Sequence, residues 1–175
     1  MGVGKTMKRF IGLLAACLLA LSCGYRLRGT ESYLPTHIKR ISIPMFKNLT
    51  TRYELDLKLT RAVIDEMVAR AKVEILAENV RSDAILLGEI QAFTVNPIAF
   101  SGEAAADRYK ITVVAKIVLR DLVNQKVLFS NPSFVYVKQY EVSEGSDFES
   151  VETEAIEEVA EEFARTVVGN ILEGF

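Results

Sequence analysis

"YKITVVAKIVLR", Tyr109 to Arg120, is the stretch that decides the fold class. Tyr109, Ile111, Val113, Ala115, Ile117 and Leu119 fall on one side of an extended chain. Lys110, Thr112, Val114, Lys116, Val118 and Arg120 fall on the other, and this period of two is that of a strand with one buried face. Downstream, Asn124 and Gln125 turn the chain back into "KVLFSNPSFVYVKQYEV", Lys126 to Val142, a predicted strand interrupted at Asn131-Pro132. Upstream, the polar connection "SGEAAAD" (101–107) leads back to "AILLGEIQAFTV", Ala84 to Val95. That strand is introduced by Asp83 and disturbed beyond its end by Asn96-Pro97.

The outer segments change period. "HIKRISIPMF", His37 to Phe46, reads as a short strand ended by Pro44. "TRYE", Thr51 to Glu54, has the form of a capping box, and Leu55, Leu59, Val63 and Met67 follow at four-residue spacing to about Ala71. A second box, "SDFE" at Ser146 to Glu149, opens a helix whose stripe is Phe148, Val151, Ala155, Val159, Phe163, Val167 and Ile171, with Gly174 near its end. The order β-α-β-β-β-α predicts an α/β two-layer sandwich, with two helices on one face of a four-stranded mixed sheet.

With both helices on one side, the sheet's other face is expected to carry Lys110, Lys116 and Arg120. In the following strand Val135 and Val137 are placed inward, which puts Phe134, Tyr136, Lys138 and Tyr140 outward. A cationic and aromatic face suits a ligand that is both anionic and greasy, or a partly apolar partner wall. The plain alternative is a solvated sheet face, where Lys and Tyr are common.

Enzyme chemistry finds no support. The single histidine, His37, has no nucleophile or ligand spacing around it and reads as a surface or edge residue. No Cys or His pair has metal spacing, and no Gly-rich loop follows a strand and opens a helix, so neither a catalytic nor a metal site is assigned. Glu157, Glu158, Glu161 and Glu162 read as the solvated face of the last helix.

The chain has 175 residues, enough for one domain with a real core, and half of them are apolar. Its longest apolar run, Phe10 to Leu21, falls short of the ~20 residues a transmembrane helix needs. With Lys5, Lys8 and Arg9 before that run and Ser22-Cys23 after it, residues 1–22 form a predicted secretory signal, leaving one globular domain at 23–175. "MKRFIGLLAACLLALSC" from Met7 is equally complete, so Met1 and Met7 both stand as starts. The "MGVGKT" opening matches a myristoylation pattern and the tail of a phosphate loop. The loop lacks its first Gly and its strand, and the acyl signal competes with export.

Cleavage removes Lys5, Lys8 and Arg9 from 21 basic residues and none from 23 acidic ones, moving the net charge from −2 to about −5. Nine of those acids lie in 147–175 against Arg165 alone. An acidic helix on a mildly basic body argues against a nucleic-acid partner. The cut also leaves Cys23 as the only cysteine, excluding a disulfide framework and suggesting thioether lipidation. "LAAC", Leu14 to Cys17, is the better local match to a lipobox. It leaves only Phe10 to Ala16 as the apolar segment, so Cys23 is favoured and Cys17 stays open. No cofactor is expected beyond covalent diacylglycerol and acyl lipid on Cys23, where each buried methylene contributes ~0.8 kcal/mol to anchoring.

"CGYRLRG" at Cys23 to Gly29, then "LPTHIKRISIPMFKNLT", resembles the LPS-assembly lipoprotein family, LptE. The resemblance implies a lipoprotein held by its acylated cysteine to the inner leaflet of the outer membrane. Its globular part would plug the β-barrel of the LPS translocon, LptD, and bind lipopolysaccharide. Gly24, where Asp would signal retention at the inner membrane, agrees with outer-membrane sorting. The family's LPS-contacting bases do not carry over, because "FSGEAAADR" holds no base before Arg108. Arg108, Lys110, Lys116 and Lys138 are the local substitutes. "IKRISIPMFKNLT" also resembles periplasmic lipoproteins that build secretion pores or accompany lipid transporters, and a purely structural lipoprotein is a further reading.

Overall fold

The computed structural model describes residues 34–76, 81–100, 106–142 and 148–174. The signal segment, Cys17, Cys23 and the first two residues of the second box, Ser146 and Asp147, lie outside them.

Six strands and two helices follow one another as β1 (Arg40–Ser42), β2 (Lys47–Asn48), α1 (Leu55–Arg70), β3 (Glu74–Leu76), β4 (Ala84–Phe100), β5 (Ala106–Asp121), β6 (Lys126–Glu141) and α2 (Phe148–Glu173). They build one mixed sheet in the order β3-β1-β4-β5-β6, with β2 beside β4. β1 is parallel to β3 and β4, and β2 is parallel to β4. β4, β5 and β6 form an antiparallel meander. The α/β class and its two helices agree with the sequence, and the strand count of four is corrected to six. Pro44 has no N–H to give, so the expected first strand stops at Ser42 and pairing with β4 resumes at Lys47. β3, "EIL", is too short to show a period, yet Glu74 N donates to Lys39 O and Ile43 N to Leu76 O.

The meander is longer than its period suggested. β4 runs through Asn96-Pro97 to Phe100. Beyond Ile90 it has β5 on one side only among the described residues, so the missing proline N–H breaks no ladder. A register shift between Ile90 and Ala92 exchanges the faces of β4: Leu86 and Ile90 are buried before it, and Phe93 and Val95 pack against the core after it.

α1 starts without its expected box. Glu54 stands at the N-cap in the left-handed region, φ 56°, with no side-chain cap. Asn48 organises the preceding turn instead: its Oδ1 accepts from Thr50 N and Oγ1, and its Nδ2 donates to Arg52 O. Leu55, Leu59, Val63 and Met67 are buried as their spacing requires, and so are Ala155, Val159, Phe163, Val167 and Ile171 of α2. All join Ile111, Val113, Ala115, Ile117 and Leu119 of β5 in one core, so that side of the sheet is the helix side. α2 ends at Gly174, φ 77°, whose N–H returns to Asn170 O.

The acids of α2 are not merely solvated. Glu152 pairs with Arg52, Glu157 with Lys58 and Glu173 with Arg70, three ion pairs along the seam between α1 and its approach on one side and α2 on the other. Glu158 and Glu162 reach the other way, to β6.

Candidate functional site

No layer of the described residues covers the second face of the β4–β5–β6 meander. Strand register lays its side chains out in rows: Leu87 beside Val118, Ala92 beside Val114 and Val135, Thr94 beside Thr112 and Val137, Asn96 beside Lys110 and Gln139. An antiparallel sheet with one free face ordinarily turns polar residues to water. Here Val135 is 55% exposed and Val137 49%, with Leu87 and Val127 also open. Lys110, Lys116 and Arg120 stand along β5 among them. Six residues of strand separate the two lysines, roughly 20 Å. Among the described residues none of the three cations has a carboxylate partner, while Glu89, opposite Lys116 in register, pairs with Lys47.

Three of the four residues named from sequence belong to this side. Lys110 and Lys116 lie on the bare face. Arg108 lies at its end, where its Nε and Nη2 both donate to Glu141 Oε1, at 3.2 and 2.7 Å. Lys138 does not join them. It pairs with Ile111, a core residue of β5, and its Nζ meets Glu158 Oε1 at 2.7 Å and Glu162 Oε1 at 2.8 Å. Those two hydrogen bonds push its pKa further up, and Lys138 with Tyr136 holds the Glu162 carboxyl below its usual range. Tyr136 donates to Glu162, and burial together with that carboxylate pushes its phenol up to about 12.

The inward placing of Val135 and Val137 is therefore reversed. Phe134, Tyr136, Lys138 and Tyr140 face the helices, with Phe134 and Tyr136 edge-on to Phe163. The alternation of β6 was correct but its parity was not. Both sets of side chains are apolar enough to be buried, and the register shift around Pro132 moves the phase by one. Lys138 is tolerated inside because two glutamates four residues apart on α2 meet its ammonium.

His37 supports the end of the β5–β6 hairpin. Its Nε2 lies 2.8 Å from Asp121 Oδ2 and 3.1 Å from Asn124 Nδ2. The buried Asp121 accepts from the backbone N–H groups of Val123 and Asn124. The Asn124 bonds, with His37, bring its carboxyl down to about 2. Among the described residues no group of three His, Cys, Asp or Glu side chains could hold a metal ion, and no helix is long and apolar enough to cross a membrane. A cleft of about 480 Å³ beside the start of α1 is lined by Arg52, Tyr53, Glu54 and Lys58, but both its cations are already paired to α2.

A family model described as "LptE: Lipopolysaccharide-assembly" matches residues 38–171. No curated protein matches the chain in sequence. Among solved structures, a protein from Xanthomonas campestris is similar with a TM-score of 0.58 at 16% identity, covering 80% of this chain and 87% of that one. A hypothetical protein from Chlamydia trachomatis is similar with a TM-score of 0.53 at 9% identity, covering 79% and 97%. At these identities the likeness concerns the fold alone.

Proposed function

Because this chain belongs to the LptE lipopolysaccharide-assembly family, we propose that it is an outer-membrane lipoprotein, anchored through lipid on Cys23, that plugs the LptD barrel and binds lipopolysaccharide in transit. The observation that supports ligand binding is the bare sheet face. A glycolipid of this kind carries phosphates and acyl chains together, and Lys110, Lys116 and Arg120 offer charge where Val114, Val135 and Val137 offer apolar area. Arg108 sits at the margin with its charge committed to Glu141. Lys138 serves this role least, since it is enclosed on the helix side.

The anchor supplies a second contribution: with several acyl chains on one cysteine the protein stays at the membrane while its sheet face engages lipid only in passing. The test is binding of purified lipopolysaccharide by the Lys110→Glu/Lys116→Glu protein. A loss of about tenfold or more, with unfolding unchanged, is expected. Equal affinity of the double variant and the parent would remove the sheet face from the proposal. Co-purification with a stoichiometric barrel protein tests the plug separately.

A further inference from the structure

We propose that the free edge of β6 from Phe134 to Glu141 receives an extended strand of a partner protein, one that alternates basic with apolar side chains. β6 ends the strand order and pairs only with β5 among the described residues, so the backbone groups along its other side have no strand to meet. Sheets usually blunt such an edge with proline, bulges or lysine, because an unprotected edge is a template for another chain. The other long edge of this sheet, β4 beyond Ile90, is blunted: Pro97 lies in it and its register breaks three times. β6 is blunted only in its first half, where its register breaks at Leu128 and again around Pro132. From Phe134 to Glu141 its pairing with β5 then continues unbroken, without proline. Lys138, the one lysine in the stretch, does not guard it, since its ammonium is turned inward onto Glu158 and Glu162.

The chemistry of the guest follows from the two sides of that edge. On the bare face an added strand would lie beside Val135 and Val137, which favours apolar residues at every second position. On the helix side it would lie under α2, where Glu158 and Glu162 share the ammonium of Lys138 and only Arg165, the one basic residue of the helix, adds to it. Glu154 and Glu161 are exposed on the same helix. Lys or Arg at the intervening positions is therefore favoured. In strand addition the main-chain bonds supply affinity and the alternate side chains supply specificity. A second copy fits the edge less well, because joining two β6 strands antiparallel would set two acidic α2 helices side by side on one face. The inference does not depend on lipid binding by the sheet.

The full-length protein in detergent, mixed with an eight-residue peptide of alternating Val and Lys, provides the test. Amide hydrogen exchange is expected to slow at least about tenfold within 134–141 and not along β4. A Val/Glu peptide, and a Val/Lys peptide N-methylated at alternate amides, are each expected to bind about tenfold more weakly or worse. Binding with no protection of 134–141, equal binding of the N-methylated peptide, or no binding up to millimolar peptide would overturn the proposal. A doubled mass in sedimentation without peptide would overturn the foreign guest in favour of a second copy.

Discussion

Replacing Gly88 by Ala puts one methyl group where the core has no room for it. A Cβ at this position would meet Cγ, Cδ1 and Cδ2 of Phe46, each at 2.5 Å. Ordinary carbon–carbon contact begins about 1 Å further out, so the ring or the strand must move by that much. The ring has nowhere cheap to go. Phe46 is 2% exposed, and its backbone N–H is tied to Thr60 Oγ1 of α1 at 2.9 Å. Thr60 is held in turn by Asp56 O. Forcing a methylene into a packed core costs about 1–3 kcal/mol, against roughly 0.4–1 kcal/mol regained because alanine restricts the unfolded chain. The net expectation is a loss of about 1–2 kcal/mol, or ~2–8 °C in melting temperature for a domain of this size. Thermal and urea unfolding followed by circular dichroism would measure it. The Phe46→Leu variant, in the same assay, completes a double-mutant cycle: with the ring gone the methyl group should cost little, so the two losses should couple by at least ~0.5 kcal/mol. A Gly88→Ala protein as stable as the parent, or two strictly additive losses, would refute the packing of Phe46 on the β4 backbone.

Other outcomes can be checked in parallel. Lys138→Ala should destabilise by about 1–2 kcal/mol, because it leaves Glu158 and Glu162 facing one another without their shared cation; urea unfolding would show it, and an unchanged midpoint would deny the clamp. Asp121, lowered from 3.8 to about 2 in the folded protein, contributes stability that is complete above about pH 4 and is lost as the pH falls toward 2. Asp121→Asn should therefore flatten the acid limb of a stability–pH curve in that window, and an identical limb in both proteins would contradict it. Ser42 is fully buried and its Oγ has no hydrogen-bond partner among the described residues, so Ser42→Ala should hold or raise stability, by up to about 1 kcal/mol in thermal melts. Val137→Asp should leave the melting temperature nearly unchanged, since the side chain is about half exposed, while weakening lipopolysaccharide binding in the assay described for the lysines.

The buried side of β5 and both helix stripes were legible because each obeys its period over many residues with one clear apolar set. Leu55 to Met67 and Ala155 to Ile171 are buried as their spacing demands. β6 shows why the rest was not. Its two faces, aromatic and valine, are equally apolar, so hydropathy carries no sign. The choice depends on a bulge around Pro132 and on two glutamates that arrive in the sequence twenty residues later. The short β3 has too few residues to display a period, and the box at Thr51 to Glu54 gave way to a turn built by Asn48. Of the residues named for the sheet face, the positions of Lys110 and Lys116 followed from the strand whose phase was read correctly, and Lys138 was placed on the wrong side with the strand whose phase was not. The bare valines could have been suspected from Val114 and Val118, which already break the polar pattern expected of a wetted face.

The ion pairs of α2 change what an approaching solute meets. Five of its glutamates are matched by Arg52, Lys58, Arg70 and Lys138 at 2.7 to 3.3 Å, so much of the acidity counted along the chain is discharged within the molecule. Among the described residues Lys110, Lys116 and Arg120 have no such neutralisation. Their potential extends outward for about a Debye length, ~8 Å at physiological ionic strength. A polyanion arriving at the sheet therefore encounters a locally positive protein despite its negative total, and its capture should slow as salt is added.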